Sequence, residues 1–249
     1  MIDTHCHISN DYYNDIPFLI DKIKSSGVSK VIVNGCDMKS NLEVLELTQK
    51  YDIVYGAIGF HPTELDGMSE SDFCWLEEHI NDDKIVALGE IGLDYHYKNT
   101  DINKQKYVFR KQLEIAEKHC KPVIVHSRDS IQDTYNILKE YSLKGSLHCF
   151  SGSKEMAKEF IKLEYYIGVG GIVTYKNAKN IIDVLENIDL KYILLETDSP
   201  YLTPVPYRGN KNDSSYISLI ANKIAEIKNV GIKEVEEITN VNACSLFDF

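Results

Sequence analysis

Two histidines one residue apart, His5 and His7, stand in the opening run Met1-Ile2-Asp3-Thr4-His5-Cys6-His7. In a β-strand, alternate side chains share a face, so both imidazoles would aim at one point. Neutral imidazole is the commonest protein ligand for borderline divalent metals. Further residues able to bind a metal or move a proton recur along the chain, each closing an apolar, strand-like run. They include His61 in Gly59-Phe60-His61-Pro62, Glu90 and Asp94 in Gly89-Glu90-Ile91-Gly92-Leu93-Asp94, and His126 in His126-Ser127-Arg128-Asp129. His148 in His148-Cys149-Phe150-Ser151-Gly152 and Asp198 in Glu196-Thr197-Asp198-Ser199-Pro200 complete the series. Strands must end somewhere polar, which accounts for one or two such residues. Four histidine-bearing ends with a Glu and an Asp go well beyond it.

Glu90 is the most informative single position. It lies inside Ile85-Val86-Ala87-Leu88-Gly89-Glu90-Ile91-Gly92, where an unpaired buried carboxylate would be very costly. A cation removes that cost, and a carboxylate with two oxygens can bridge two metals; an Arg or Lys partner is the purely structural alternative. Asp94 falls on the same strand face and is placed to hold a histidine in its ligating tautomer.

The elements that must position these groups follow from the alternation of β-rich and amphipathic stretches, which favours a parallel sheet with helices outside. The strand runs are Met1–Cys6, Lys30–Gly35, Val54–Gly59, Val86–Leu93, Val123–Ser127, Ser146–Phe150, Tyr166–Gly171 and Tyr192–Thr197. Between them, Asn103–His119 carries the clearest helical stripe. Helix-start signals stand at Ser40 before Asn41–Tyr51, at Ser69 or Ser71 before the Trp75 helix, and at Ser153 before Lys154–Leu163. Asp213–Asn229 reads as the last outer helix and Lys233–Phe247 as a C-terminal extension. Eight such units in 249 residues predict an α/β chain folded as one (β/α)8 TIM barrel domain over residues 1–249. In such barrels catalytic groups gather at the C-terminal strand ends, where the candidates fall.

Composition sets outer bounds. Hydrophobic residues make up 43% and charged residues 26%, an ordinary globular balance. There is no run of the roughly 20 apolar residues that a membrane span needs, and no basic-then-apolar leader ahead of the first strand, so a cytoplasmic location is expected. The six cysteines form no C-x-x-C pair and read as reduced, mostly buried small hydrophobes. A formal charge of −11 argues against a high-affinity duplex-binding surface. It leaves room for an enzyme that grips a strand end with bound cations supplying local positive charge.

The strand-end motifs, together with Tyr201-Leu202 after the last one, resemble the TatD family of metal-dependent deoxyribonucleases, in order and over essentially the whole chain. The resemblance implies a two-metal site, with His5, His7, Glu90 and Asp198 on one ion and Glu90, His126 and His148 on the other. It implies Mg2+-supported nuclease activity, whereas the four histidines suit Zn2+ or Mn2+ better than Mg2+. One stretch departs from the family pattern. Arg208, Gly209 and Asn212 are kept, but in Asn212-Asp213-Ser214 the family's Glu is shortened to Asp and its Pro is replaced by Ser.

The expected activity is metal-dependent hydrolysis of DNA phosphodiesters, as a 3′–5′ exonuclease on strand ends, with DNA a transient partner and no obligate protein partner evident. Asp198 is the expected proton acceptor and Glu90 the bridging carboxylate. Arg208, Asn212 and Arg128 are expected to orient phosphates, and Tyr95 and Tyr201 to stack on bases. His61 and His96 are further candidate substrate contacts. The rival reaction is attack on a carbonyl, as in an amidase, a lactonase or a deacylase of D-aminoacyl-tRNA, since the same ligands serve either centre. A catalytically idle barrel would lack a ligand or a proton acceptor, and neither is missing.

Overall fold

Runs buried on both faces become strands of a parallel sheet, and stretches with one apolar stripe become the helices that cover it. In a computed structural model describing residues 1–249, β1 (Ile2–Cys6) leads to α1 (Ile16–Ser25) and β2 (Lys30–Asn34) to α2 (Met38–Lys50). Then come β3 (Val54–Ile58), α3 (Glu70–His79), β4 (Ile85–Asp94), α4 (Ile102–Lys118), β5 (Val123–Arg128) and α5 (Ile131–Leu138). The chain finishes with β6 (Gly145–Leu147), α6 (Lys154–Lys162), β7 (Tyr165–Val169), α7 (Lys179–Asn187), β8 (Ile193–Leu195), α8 (Ile217–Lys228) and α9 (Ile232–Phe247). The eight strands are parallel and lie side by side in chain order. At the seam, Cys6 and Ser199 form an isolated bridge, and the Asp198 N–H donates to the His5 carbonyl at 3.0 Å. The molecule is the expected TIM barrel.

Two apolar layers hold it. Val31, Val33, Leu76, Leu113 and Phe160 belong to the larger cluster, between sheet and helices. Inside the barrel, Ile2, Ile32, Ala57, Ile124 and Leu194 pack on Ala243, Leu246 and Phe247 of α9. The predicted C-terminal extension therefore plugs the floor, and Asn242 fixes it by donating to the Leu190 and Ile193 carbonyls at 2.8 Å each.

Helix starts agree with the predicted ones at α3 and α6 but differ at α2 and α8. At α2, Asp37 is the cap, accepting from the Ser40 N–H at 2.7 Å, while the Ser40 hydroxyl accepts from the Asp37 N–H at 3.0 Å. The two residues form a reciprocal capping box, so the helix begins two residues before Ser40. Asp213 caps a short 3-10 turn, Ser214–Tyr216, and α8 proper starts at Ile217.

Features that aim the strand ends concern the site directly. Three steps on β4, Leu88 to Ile91, match two on β5, Val123 to Val125. Likewise Asp3 to Cys6 on β1 matches Val31 to Val33 on β2. Such bulges re-aim side chains, and these fall at Glu90 and His5. Strand ends splay at the mouth of a barrel, leaving backbone groups to satisfy, and buried amides from the helices do so. Asn41 of α2 pairs with both polar atoms of Gly59, Gln112 of α4 with those of Phe60, and Gln105 of α4 with those of Asp94.

Gly92 permits the close approach of β4 to β5. Its φ is 146°, and a Cβ there would collide with the His126 carbonyl oxygen. Gly92→Ala should destabilise the metal-free protein by about 1–3 kcal/mol, read as a lower urea midpoint. An unchanged midpoint would show that β5 yields freely at His126.

Candidate metal centre

Glu90, only 3% exposed, stands at the bottom of the barrel mouth with imidazoles on both of its oxygens. Oε2 lies 3.3 Å from His5 Nε2 and 3.5 Å from His7 Nε2. Oε1 lies 2.8 Å from His126 Nδ1, 3.1 Å from His148 Nε2 and 3.5 Å from His61 Nε2. Asp198 Oδ1 is 3.7 Å from the Nε2 atoms of both His5 and His7. Three overlapping sets have donor atoms within 4.8 Å of one another: His5 with His7 and Glu90, His5 with His148 and Asp198, and His61 with Glu90 and His126. The i, i+2 reading of His5 and His7 thus describes their geometry.

The far sides of the rings are held as well. His7 Nδ1 is 3.0 Å from the Asn34 carbonyl, an arrangement in which it donates and leaves Nε2 facing the cluster. His126 Nε2 meets Asp94 Oδ2 at 3.1 Å, which is the backing expected of Asp94. His148 Nδ1 lies 3.5 Å from Glu196 Oε1, which also accepts the Cys149 N–H at 2.5 Å. Carboxylates behind imidazoles fix the tautomer and raise ligand basicity. Gly168 makes room for Glu196, since a Cβ there would strike its Oε2.

Charge in the cluster follows from burial against pairing. Burial pushes the Glu90 carboxyl up, but His148, His5 and His61 and the His126 hydrogen bond outweigh it and hold Glu90 well below the usual range. Asp198 is likewise held low, burial being outweighed by the hydrogen bond with His7 and the charges of His148 and His5. Burial lowers His5, helped by His148, and pushes His61 down to about 4. His148 is raised well above the ordinary histidine value, because Glu90 and Glu196 overcome its burial. His5 and His148 stack with centroids 3.8 Å apart, a contact that opposes protonation of both rings at once.

A divalent cation fits this donor set. His5 Nε2 and His7 Nε2 are 3.2 Å apart and face the same carboxylates. Without a cation one nitrogen donates to the other through a shared proton, whereas a cation takes a lone pair from each. Buried imidazole and carboxylate donors suit Zn2+ or Mn2+, and the carboxylate-rich side also admits Mg2+.

Above the cluster opens a cavity of about 810 Å³. Its wall after β1 to β3 carries Asp11, Asp37, Glu43 and Glu64, with Lys39 paired to Asp11. The wall after β4 to β6 carries Tyr97, Arg128 and Ser151, and Tyr201, after β8, lies at the seam beside the β1 loop. The Arg128 guanidinium sits 5.9 Å from the centre of the Tyr97 ring, which is 57% exposed. Tyr201 meets Tyr12 hydroxyl to hydroxyl at 3.0 Å.

The structure brings His5, His7, His61, Glu90, His126, His148 and Asp198 together, with Arg128 and Tyr201 on the wall. Four expected substrate contacts lie elsewhere. Asp94 points inward, so strand alternation turns Tyr95 outward, where its hydroxyl donates to Asp133 at 2.9 Å. His96 pairs with Asp129 at 3.1 Å on the exposed rim. Arg208 is exposed and stacks on Tyr175 at 4.4 Å, outside the cavity wall. Asn212 is buried, donating to the Thr197 and Tyr201 carbonyls at 2.8 and 2.6 Å, so it shapes the loop instead. Sequence reasoning missed Tyr97, Tyr12 and Cys36, whose Sγ lies 3.9 Å from Glu90 Oε2. Two residues beyond Tyr95, Tyr97 carried the only available signal. Of the six cysteines expected to be mostly buried, Cys6 alone is fully so; Cys36 and Cys149 are half-buried, and Cys74, Cys120 and Cys244, on or beside helices, are exposed.

No helix is long and apolar enough to cross a membrane. Residues 2–248 match the protein family described as TatD related DNase. YabD of Bacillus subtilis, an uncharacterized metal-dependent hydrolase, is 40% identical over 251 residues, covering 99% of this chain and 98% of its own. YcfH of Escherichia coli, also an uncharacterized metal-dependent hydrolase, is 34% identical over 254 residues, covering 99% of this chain and 95% of its own. The crystal structure of YjjV, a TatD homolog from Escherichia coli, superposes with a TM-score of 0.94 at 31% identity, covering 100% of this chain and 98% of that one. With the match running from β1 into α9 and such relatives along its whole length, this chain belongs to the TatD family of metal-dependent hydrolases.

Proposed function

We propose that the protein hydrolyses DNA phosphodiesters at strand ends, as a 3′–5′ exonuclease dependent on divalent cations. The observation that carries this reading is Arg128, a guanidinium on the wall above the Glu90 cluster and beside an exposed Tyr97 ring. A guanidinium grips a phosphate through two parallel hydrogen bonds, and an aromatic face stacks on any base. The acidic wall opposite repels phosphates, so a bound strand has one way out, over Arg128. A strand end suits that one-sided path.

In this reading His5, His7, Glu90 and Asp198 hold one cation, and Glu90, His126 and His148 hold a second. Bound there, Mg2+, Mn2+ or Zn2+ acidifies water and withdraws charge from the phosphate oxygens. Asp198 is ionised, faces the cavity and accepts the proton of the attacking water at its carboxylate. Asp94 and Glu196 keep His126 and His148 in place. His61, its ring 4.4 Å from that of His126, stays neutral above about pH 4; its Nδ1 accepts the Thr63 N–H at 3.2 Å, which leaves Nε2 as a donor on the cavity side. Tyr201 and Tyr97 flank the terminal bases.

The direct test supplies Mg2+ or Mn2+ with single strands labelled at the 5′ or 3′ end, duplex, and D-aminoacyl-tRNA. Stepwise shortening from the 3′ end is expected, and Arg128→Lys should weaken it by at least ~1 kcal/mol, mainly through KM. Release of the amino acid with intact strands would replace this reading by the deacylase one. Asp198→Asn should lower turnover by ~10²-fold or more while the fold persists. Near-normal turnover in saturating metal would remove Asp198 from the proton-transfer step.

Metal binding should also release protons at neutral pH. His148 is protonated in the metal-free cluster because its pKa is raised, and its ion pair with Glu90 stabilises that form until pH rises through the raised value. Cation affinity should therefore climb with pH. Calorimetric titration with Mn2+ in buffers of different ionisation enthalpy reads the effect; heats independent of the buffer would show His148 neutral before binding.

A further inference from the structure

One fully buried carboxylate near the centre holds no place among the cation donors. Asp3 of β1 accepts the Thr197 hydroxyl on Oδ2 at 2.6 Å, and on Oδ1 the N–H groups of Thr197 at 3.0 Å and His5 at 3.3 Å. Thr197 follows β8, between Glu196, which backs His148, and Asp198, whose φ is 53°. These contacts cross the seam, where β1 and β8 share no regular ladder. There the His7 N–H reaches the Ser199 carbonyl at 2.7 Å and the Asp198 N–H reaches the His5 carbonyl at 3.0 Å. From the other side, Asn212 donates to the Thr197 carbonyl.

We propose that the Asp3–Thr197 side-chain pair is a positioning clamp for the first cation group, setting His5 and Asp198 at ligating distance across the barrel seam. The inference rests on the two-cation reading of the Glu90 cluster. Asp3 suits the task because three donors converge on its two oxygens, two N–H groups on Oδ1 and the Thr197 hydroxyl on Oδ2. Without the clamp, the turn carrying Asp198 keeps its backbone contacts but loses the side chain that registers it on β1. Asp198 then drifts from His5 and His7. His126, on β5, and His148, beyond the end of β6, keep their own backing from Asp94 and Glu196, although the His148 ring stacks on that of His5.

Thr197→Val removes the hydroxyl with little change of shape, and Thr197→Ser restores the donor. Mn2+ binding to the full-length protein is measured by calorimetry, with His148→Ala marking the isotherm of the second group. Thr197→Val should weaken the first group by roughly 10–100-fold, weaken the second distinctly less, and regain affinity as Thr197→Ser. Thr197→Ala, which leaves space and adds no clash, carries the same expectation if the valine variant does not fold. Wild-type affinity in Thr197→Val, equal loss at both groups, or loss that serine does not rescue would overturn the clamp. A wild-type isotherm with a single site would overturn the two-cation reading instead, and the clamp with it, before any variant is made.

Discussion

An ionised carboxylate buried among five imidazoles is the constraint around which the barrel mouth is built. Glu90 has no Lys or Arg partner; its counter-charges are imidazoles now and cations when the centre is loaded. Holding it there requires strand ends that converge from several directions, which only a closed parallel barrel supplies. It also requires each ring to present one nitrogen inward. The Asn34 carbonyl, Asp94 and Glu196 do this for His7, His126 and His148. The bulges in β1 and β4, the glycine at 92 and the amide clasps from α2 and α4 serve the same end, because each sets where a strand stops and which way its last residues face.

The clustered imidazoles and carboxylates were legible in the sequence for the same reason. A ligand that closes an apolar run is placed by the strand beneath it, and in a barrel all such closing residues meet. His5, His7, Glu90, His126, His148 and Asp198 needed only that rule. Residues a few positions further on escape it. Asp94 and Tyr95 still obey strand alternation, so the inward aspartate turns the tyrosine out. Beyond them the backbone turns freely, and Tyr97, not Tyr95, reaches the cavity. Arg208 and Asn212 lie in the long connection after β8, where proximity to Asp198 in sequence says nothing about direction. Asn212 is drawn inside by two carbonyls that no strand partner satisfies, and Arg208 by the face of Tyr175. The clasping amides Asn41, Gln105 and Gln112 were invisible, since a polar residue on a helix reads as solvent-facing until its strand-end partner is known.

The barrel core tells the complementary story. Alternation of strand and helix patterns fixed the architecture because every unit repeats the same burial problem, whereas lengths varied with local demands. β6 and β8 stop after three residues each, short of the expected ends at Phe150 and Thr197. Cys149 and Asp198, just beyond, take left-handed backbone conformations that no strand continues through, with φ of 42° and 53°.

Charge gives the last step. A protein of net charge −11, with four acidic residues on one wall of its cavity, is poorly disposed toward a polyanion in its metal-free form. Protons on the cluster offset Glu90 and Asp198 but leave that wall unchanged. Two divalent cations would add four positive charges at the cavity floor, enough to reverse the local sign, while Arg128 keeps the opposite wall positive. Affinity for phosphate would then be conditional on the cations, and directional because only one wall welcomes the strand. An acidic chain can in this way act on nucleic acid without the broad basic surface that would hold it to duplex.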